Sequence, residues 1–122
     1  MASILLVDDD EQLRTMLSEV LKRAGHEVQT ACDGDEAIKM FRSNPTDLVI
    51  TDLIMPNKEG LETIREIRQG FPAVRIIAMS GGGRNGPGNY LAVAERFGAQ
   101  RVLNKPFSHR EILEAVRGVL GA

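Results

Sequence analysis

Charged and polar side chains follow several apolar stretches of this sequence, each directly or closely after the stretch ends. Asp8 and Asp9 follow the first of these stretches, Asp52 follows a central one, and Ser80 and Lys105 follow two later ones. Carboxylates brought close together repel one another, and a hard cation with oxygen ligands relieves that repulsion. Mg²⁺ suits such a site because it takes few carboxylates together with water and a phosphate oxygen. The residue types therefore predict a magnesium site that also takes a phosphate group.

Asp52 is the residue at which this chemistry would take place. Converting its carboxylate to an acyl phosphate adds one negative charge, for which the Ser80 hydroxyl and the Lys105 ammonium supply hydrogen-bond donors. The pattern is thus suited to phosphoryl transfer onto Asp52 by positioning and charge neutralisation. Asp52 on its own has a simpler interpretation, as the cap of the helix that follows. The other polar residues at strand ends favour the chemical interpretation.

These side chains require a sheet whose strands all end at one edge. Five short apolar stretches alternate with segments in which apolar residues recur every three or four positions, as in amphipathic helices. We therefore predict an α/β fold of the flavodoxin-like (βα)5 type, a five-stranded parallel sheet in the order 2-1-3-4-5 with helices on both faces. This order makes strands one and three neighbours, which brings Asp8, Asp9 and Asp52 together. The strands are predicted at 3–7, 27–31, 48–50, 74–79 and 101–103.

The composition is that of an ordinary globular protein. Hydrophobic residues make up 43% of the 122 residues, charged residues 26%, and the formal net charge is -2. This balance gives no support for a nucleic-acid or membrane surface. No apolar run approaches the roughly 18 residues of a spanning helix, and no signal-peptide pattern precedes the first strand. The sequence predicts one cytoplasmic domain over residues 1–122.

Cys32 is the only cysteine, which excludes an internal disulfide and a thiolate metal cluster. It falls at the end of the second predicted strand, and we predict that it is a small buried hydrophobe. His26 and His109 lie next to helix ends, and we predict that both are solvated and take no part in chemistry.

Four motifs stand out in the sequence: Asp8-Asp9, the segment 47–56, Ser80-Gly81 and Lys105-Pro106-Phe107. Together they are similar to the receiver domain of bacterial two-component response regulators, the CheY-like family, over essentially the whole chain. The resemblance implies that Asp52 is the phospho-acceptor, that Asp9 is a direct Mg²⁺ ligand and that Asp8 holds metal-bound water. It implies further that the backbone carbonyl of Ile54 completes the protein ligands of the metal, beside Asp52.

The same resemblance implies how the phosphoryl group is supplied and sensed. A sensor histidine kinase or a phosphotransfer protein would donate it, Ser80 would bind one of its oxygens and Lys105 would pair with it. A cis Lys105-Pro106 bond is typical of the family. The chain would be a switch with self-catalysed phosphotransfer and autodephosphorylation rather than an enzyme. A downstream protein would bind the face formed by the fourth helix, fifth strand and fifth helix.

The sequence departs from the family pattern at two places. Val102 stands where family members often carry an aromatic reporter in the fifth strand, so switching by an aromatic ring is not expected. The glycine-rich segment from Gly81 to Gly88 is longer than usual, and it is open whether it is a surface insertion or part of the switch. The sequence also leaves open whether the chain is a stand-alone regulator or a receiver excised from a longer one.

Two other classes of protein share parts of this pattern. An aspartyl-phosphate phosphohydrolase also uses acids after a first strand, but Gln12 follows Asp8-x-Asp10 at the place where its motif has Thr or Val. A flavodoxin-type binding module has a Ser/Thr-rich phosphate loop after strand one, where this chain has Asp8 to Glu11. Binding of beryllofluoride with Mg²⁺ rather than of FMN would distinguish the receiver.

Overall fold

The computed structural model describes residues 2–53, 60–80 and 98–121 of the chain. Within these residues, five strands and four helices follow one another along the chain. None of the described helices combines the length and the apolar character that crossing a lipid bilayer requires. The elements are β1 (Ser3–Val7), α1 (Glu11–Arg23), β2 (Glu27–Ala31), α2 (Gly34–Ser43), β3 (Leu48–Asp52), α3 (Gly60–Gly70), β4 (Arg75–Ser80), β5 (Arg101–Asn104) and α4 (His109–Leu120).

The strands form one parallel sheet in the order β2-β1-β3-β4-β5, which confirms the predicted fold and strand order. β3 lies at its centre, and all of its residues from Leu48 to Asp52 are buried. β2 lies at an edge, where only Ala31 of its residues is buried. This order places the topological switch point, where the direction of strand addition changes, between β1 and β3. Open parallel sheets bind their ligands at such a switch point, beside the carboxyl ends of the strands.

Helices cover both faces of the sheet because successive strand residues point to opposite sides. On one face, strand residues such as Leu5 and Val49 pack against α2 and α3, with Phe41 of α2 fully buried. On the other face, strand residues such as Ile4 and Ile50 pack against α1 and α4. The two apolar layers hold the carboxyl ends of β1 and β3 side by side.

Capping side chains mark the N-termini of three helices. The side chain of Asp10 accepts a hydrogen bond from the Leu13 amide and caps α1. Asp33 accepts from the Glu36 amide in the same way at α2. A reciprocal pair of such bonds, the capping box of Ser108 and Glu111, begins α4. The helix that follows β1 is therefore anchored by an acid from the same loop that carries Asp8 and Asp9.

Two sequence predictions about single residues were wrong. Cys32 is exposed and lies after the end of β2. Its amide donates to the carboxylate of Glu36, so the residue belongs to the start of α2 and not to the strand. His26 is partly buried, and its Nδ1 atom accepts a hydrogen bond from the Ala2 amide at 3.2 Å. It thus ties the start of β1 to the turn before β2 instead of being solvated.

Several predictions lie outside the described residues. These are the carbonyl ligand at Ile54, the glycine-rich segment from Gly81 to Gly88 and the fourth predicted helix. The helix predicted as the fifth is α4 of the structure. Val102 is described; it lies in β5 and is partly buried against the α2 and α3 side of the sheet.

Candidate functional site

The predicted site residues meet at the carboxyl edge of the sheet because of the strand register. Val7 of β1 pairs with Thr51 of β3, so the next residues along, Asp8 and Asp52, lie side by side. Asp52 is the last residue of β3, and the next residue, Leu53, is not helical, so Asp52 does not stand directly before a helix as a cap does. The sequence-based alternative of a simple helix cap is therefore wrong.

Ser80 and Lys105 reach the same edge from the other side of β3. Ser80 is the last residue of β4, where it is buried and pairs with Asn104 of β5. Lys105 follows Asn104 directly, and its amide donates to the Ser80 carbonyl at 2.8 Å. The Lys105–Pro106 peptide bond is cis, as the family resemblance implied. The backbone thus holds the ends of β4 and β5 together next to Asp52.

The acids of the site form a close cluster. Asp8, Asp9 and Asp52 each place a carboxylate oxygen within 4.8 Å of the others. Asp8 has no exposed surface and Asp52 is 6% exposed, whereas Asp9 is exposed. Two carboxylates at this separation repel by roughly 3 kcal/mol at an effective dielectric constant of about 20. The fold therefore maintains a concentration of negative charge that a nearby cation must offset.

Lys105 offsets part of this charge within the protein. Its ammonium lies 2.8 Å from the Asp8 carboxylate and 3.5 Å from the Asp52 carboxylate. Burial by itself lowers the pKa of Lys105, but the hydrogen bond to Asp8 and the charges of Asp52 and Asp8 outweigh burial and raise it. The lysine is therefore charged at neutral pH and bridges the acids of β1 and β3.

Asp8 is held through both its backbone and its side chain. Its amide donates to the Ala31 carbonyl of β2 at 3.2 Å, and its carbonyl accepts from Nη1 of Arg14 at 2.7 Å. One carboxylate oxygen accepts from the Asp10 amide at 2.9 Å, and the other accepts from Lys105. Sequence reasoning missed Arg14, because no short motif relates this residue of α1 to a carbonyl six residues earlier.

Gly60 is a second residue that sequence reasoning missed. Its amide donates to the Leu53 carbonyl at 2.9 Å, which brings the start of α3 against the end of β3. A Cβ atom at this position would lie 2.0 Å from the Asp52 carbonyl oxygen and 2.6 Å from the Leu53 Cα. The backbone of Asp52 can keep its place only if residue 60 has no side chain.

The donor set of this cluster fits a divalent magnesium ion. Carboxylate oxygens are the ligands that Mg²⁺ prefers, and the ion needs only one or two of them together with water. Asp9 is the exposed member, and its carboxylate has no hydrogen bond or ion pair with the described residues. It is thus the acid most accessible to an incoming cation. Asp8 and Asp52 supply further oxygens from the floor of the same site.

The charge on Lys105 gives a pH prediction. Because its pKa is higher in the folded chain, the stabilisation by this lysine is complete below its ordinary pKa of 10.5 and is lost as the pH rises through the folded value. We expect the difference in melting temperature between the unchanged chain and Lys105→Met to stay constant from neutral pH to about pH 10 and to shrink above it.

The control for this prediction is Lys22→Met, which removes an exposed lysine from the last turn of α1. Thermal unfolding followed by circular dichroism at a series of pH values provides the measurement. A difference for Lys105→Met that keeps its size up to pH 12 would show that the ion pair does not stabilise the fold.

The fold and this edge define a class of protein, parallel α/β domains with an acidic cluster and a lysine at the carboxyl ends of the strands. The family model of the response regulator receiver domain matches residues 4–117. The chain therefore belongs to the response regulator receiver domains of two-component systems, and the resemblance of its motifs to this family is confirmed.

Individual relatives agree with this assignment. The DNA-binding transcriptional regulator NtrC of Azospirillum brasilense is 38% identical over 99% of this chain, which spans 24% of that protein. The chemotaxis protein CheY of Halobacterium salinarum is 32% identical over 98% of this chain and 97% of its own length. The crystal structure of a response regulator receiver domain protein from Clostridium thermocellum has a TM-score of 0.91 at 29% identity, and the match covers 99% of this chain and 95% of that one. The chain spans about half the length of other curated relatives.

Proposed function

We propose that this receiver domain accepts a phosphoryl group on Asp52 in a Mg²⁺-dependent reaction and thereby changes a surface that binds a partner protein. The observation that carries the proposal is the cluster of Asp8, Asp9 and Asp52 with Lys105 at hydrogen-bond distance from it. A buried cluster of like charges destabilises a fold. Its presence at the topological switch point of the sheet therefore supports a functional role.

In the proposed reaction, a carboxylate oxygen of Asp52 attacks the phosphorus atom of a phosphohistidine. The new O–P bond forms as the N–P bond breaks, and the freed histidine of the kinase or phosphotransfer protein keeps the electron pair and takes a proton from solvent. Asp8, Asp9 and Asp52 would hold Mg²⁺, with the Ile54 carbonyl as a further ligand. The ion, when bound, neutralises the charge that develops on the phosphoryl oxygens.

Lys105 and Ser80 would receive the group once it is attached. The Lys105 ammonium already lies 3.5 Å from Asp52, so a small movement away from Asp8 brings it to a phosphoryl oxygen. Ser80 would bind another oxygen through its hydroxyl. Because the Lys105 amide is hydrogen-bonded to the Ser80 carbonyl, a movement of either residue would be transmitted to the end of β5. We infer that β5, α4 and the predicted helix before β5 form the partner face.

The experiment that tests this proposal uses acetyl phosphate as a small phosphoryl donor. With Mg²⁺ present, we expect the intact mass to rise by one phosphoryl group and peptide mapping to place that group on Asp52. Removal of Mg²⁺ with EDTA should prevent the modification. Modification at another residue, or modification that proceeds equally well in EDTA, would contradict the proposal.

Ligand binding separates the receiver from the two other classes that share its sequence pattern. Beryllofluoride with Mg²⁺ should shift the amide resonances around Asp8, Asp52 and Ser80, whereas FMN should leave them unchanged. Binding of FMN would favour a flavin module instead. Continuous release of phosphate from a small phosphate ester, with no stable modified protein, would favour a phosphohydrolase.

A further inference from the structure

In the part of the chain that the structure describes, no contact of its own side chain holds Asp9 beside the other two acids of the cluster. It is exposed, it has no hydrogen bond or ion pair with the described residues, and its carboxylate lies within 4.8 Å of two other acids. Repulsion favours a rotation or a loop shift that carries it into solvent. The backbone on either side must therefore keep Asp9 beside Asp8 and Asp52.

The two neighbours of Asp9 are held by α1. Asp10 is anchored because its carboxylate caps the helix at the Leu13 amide and its carbonyl accepts from the Arg14 amide. Asp8 is anchored on the same side because the Arg14 guanidinium extends back along the first turn of α1 to its carbonyl, at 2.7 Å. The segment from Asp8 to Arg14 thus forms a closed hydrogen-bonded loop with Asp9 at its exposed point.

We propose that Arg14 is a positioning residue of the divalent-cation site, which it preorganises by holding the carbonyl of Asp8. The inference rests on the proposed Mg²⁺ dependence, because it assigns a role at the same site. Arg14 itself need not touch the cation or the phosphoryl group. Its contribution is to keep Asp8 and Asp9 close to Asp52 before a cation arrives, so that binding does not have to order the loop.

The direction in which Mg²⁺ affinity changes when Arg14 is replaced distinguishes a positioning role from a purely electrostatic one. Removing a positive charge beside an acidic cluster should by itself strengthen cation binding. Loss of the contact with the Asp8 carbonyl should weaken cation binding, since residues that hold metal ligands in place change metal affinity by about tenfold or more. We therefore expect Arg14→Met to weaken Mg²⁺ binding by about tenfold. Arg14→Lys, which keeps the charge and a donor, should bind Mg²⁺ nearly as well as the unchanged chain does.

The matched control is Arg23→Met, which removes an arginine from the last turn of the same helix and should leave Mg²⁺ affinity unchanged. Affinities are measured by titrating MgCl₂ into the whole chain and following amide resonances. Equal or tighter binding by Arg14→Met would overturn the proposal. A loss of Mg²⁺ affinity in Arg14→Lys as large as that in Arg14→Met would also overturn it. A charged donor retained at residue 14 would then have preserved none of the affinity.

A second readout needs no metal. The Asp10 amide donates to a carboxylate oxygen of Asp8, so its exchange with solvent reports the order of the loop. In EDTA we expect this amide to exchange faster in Arg14→Met than in the unchanged chain, and not in Arg23→Met. Unaltered exchange overturns the positioning role. Absence of Mg²⁺ binding by the unchanged chain is a different result, which overturns the proposed function together with the role of Arg14 in cation binding.

Discussion

Replacing Asp52 with asparagine is expected to abolish uptake of a phosphoryl group from acetyl phosphate. The amide of asparagine has nearly the shape of the carboxylate but carries no charge and is a poor nucleophile. Asp8 and Asp9 remain in the variant, but neither ends a strand at the centre of the sheet as Asp52 does. The measurement is the intact mass after incubation with acetyl phosphate and Mg²⁺.

The same substitution should leave the fold as stable as before or slightly more stable. It removes one of the like charges in a buried cluster, while Lys105 keeps its closer contact with Asp8 at 2.8 Å. A lost modification with an unchanged melting temperature therefore identifies a chemical role. Asp47→Asn is the matched control, because Asp47 lies just before the opposite end of β3 and is exposed. Modification that persists in Asp52→Asn would exclude this residue as the acceptor.

Gly60→Ala is expected to destabilise the protein by about 3 kcal/mol, the upper part of the range for overpacked substitutions. Helix propensity alone predicts the opposite, since alanine stabilises a helix by roughly 1 kcal/mol relative to glycine. The steric effect should dominate because a Cβ atom would lie 2.0 Å from the Asp52 carbonyl oxygen and 2.9 Å from its carbonyl carbon. Both are backbone atoms, which cannot move aside by changing a rotamer.

Thermal unfolding measures this effect, and a loss of about 3 kcal/mol corresponds to a fall of roughly 10–20 °C for a domain of this size. Gly70→Ala is the control at the other end of α3, where an added Cβ atom meets nothing within 4 Å. It should be neutral or slightly stabilising. A melting temperature for Gly60→Ala close to that of Gly70→Ala would mean that the approach of α3 to Asp52 is looser than the structure has it.

The sheet was predictable because its signals are local. Each buried strand is a short apolar stretch, and the polar residues that follow mark the edge at which the strands end. Strand order then placed Asp8, Asp9 and Asp52 together without any knowledge of side-chain contacts. Cys32 was misplaced because the apolar pattern continues beyond β2, whereas the bond from its amide to Glu36 assigns it to the start of α2.

The supporting contacts of the site could not be read from the sequence. Gly60 is required by the distance between the start of α3 and the backbone of Asp52, which only the packed structure defines. Arg14 contacts a carbonyl rather than a side chain, so neither charge pairing nor a motif indicates it. The roles of Ser80 and Lys105 at the phosphoryl group, and that of the Ile54 carbonyl, stay predictions from the resemblance to the family.

The bridge from Lys105 to Asp8 joins residues that are 97 positions apart, and this has a consequence for a chain that is still on the ribosome. At the ~5–20 residues per second of protein synthesis, the roughly 50 residues between Asp52 and Lys105 take about 3–10 s to add. During that interval the nascent chain carries Asp8, Asp9 and Asp52, but not the ammonium group that bridges Asp8 and Asp52. The cluster of acids therefore gains its internal cation only once Lys105 has been synthesised. A chain that ends before Lys105 would carry the repelling carboxylates of Asp8, Asp9 and Asp52 without this ammonium group to offset them.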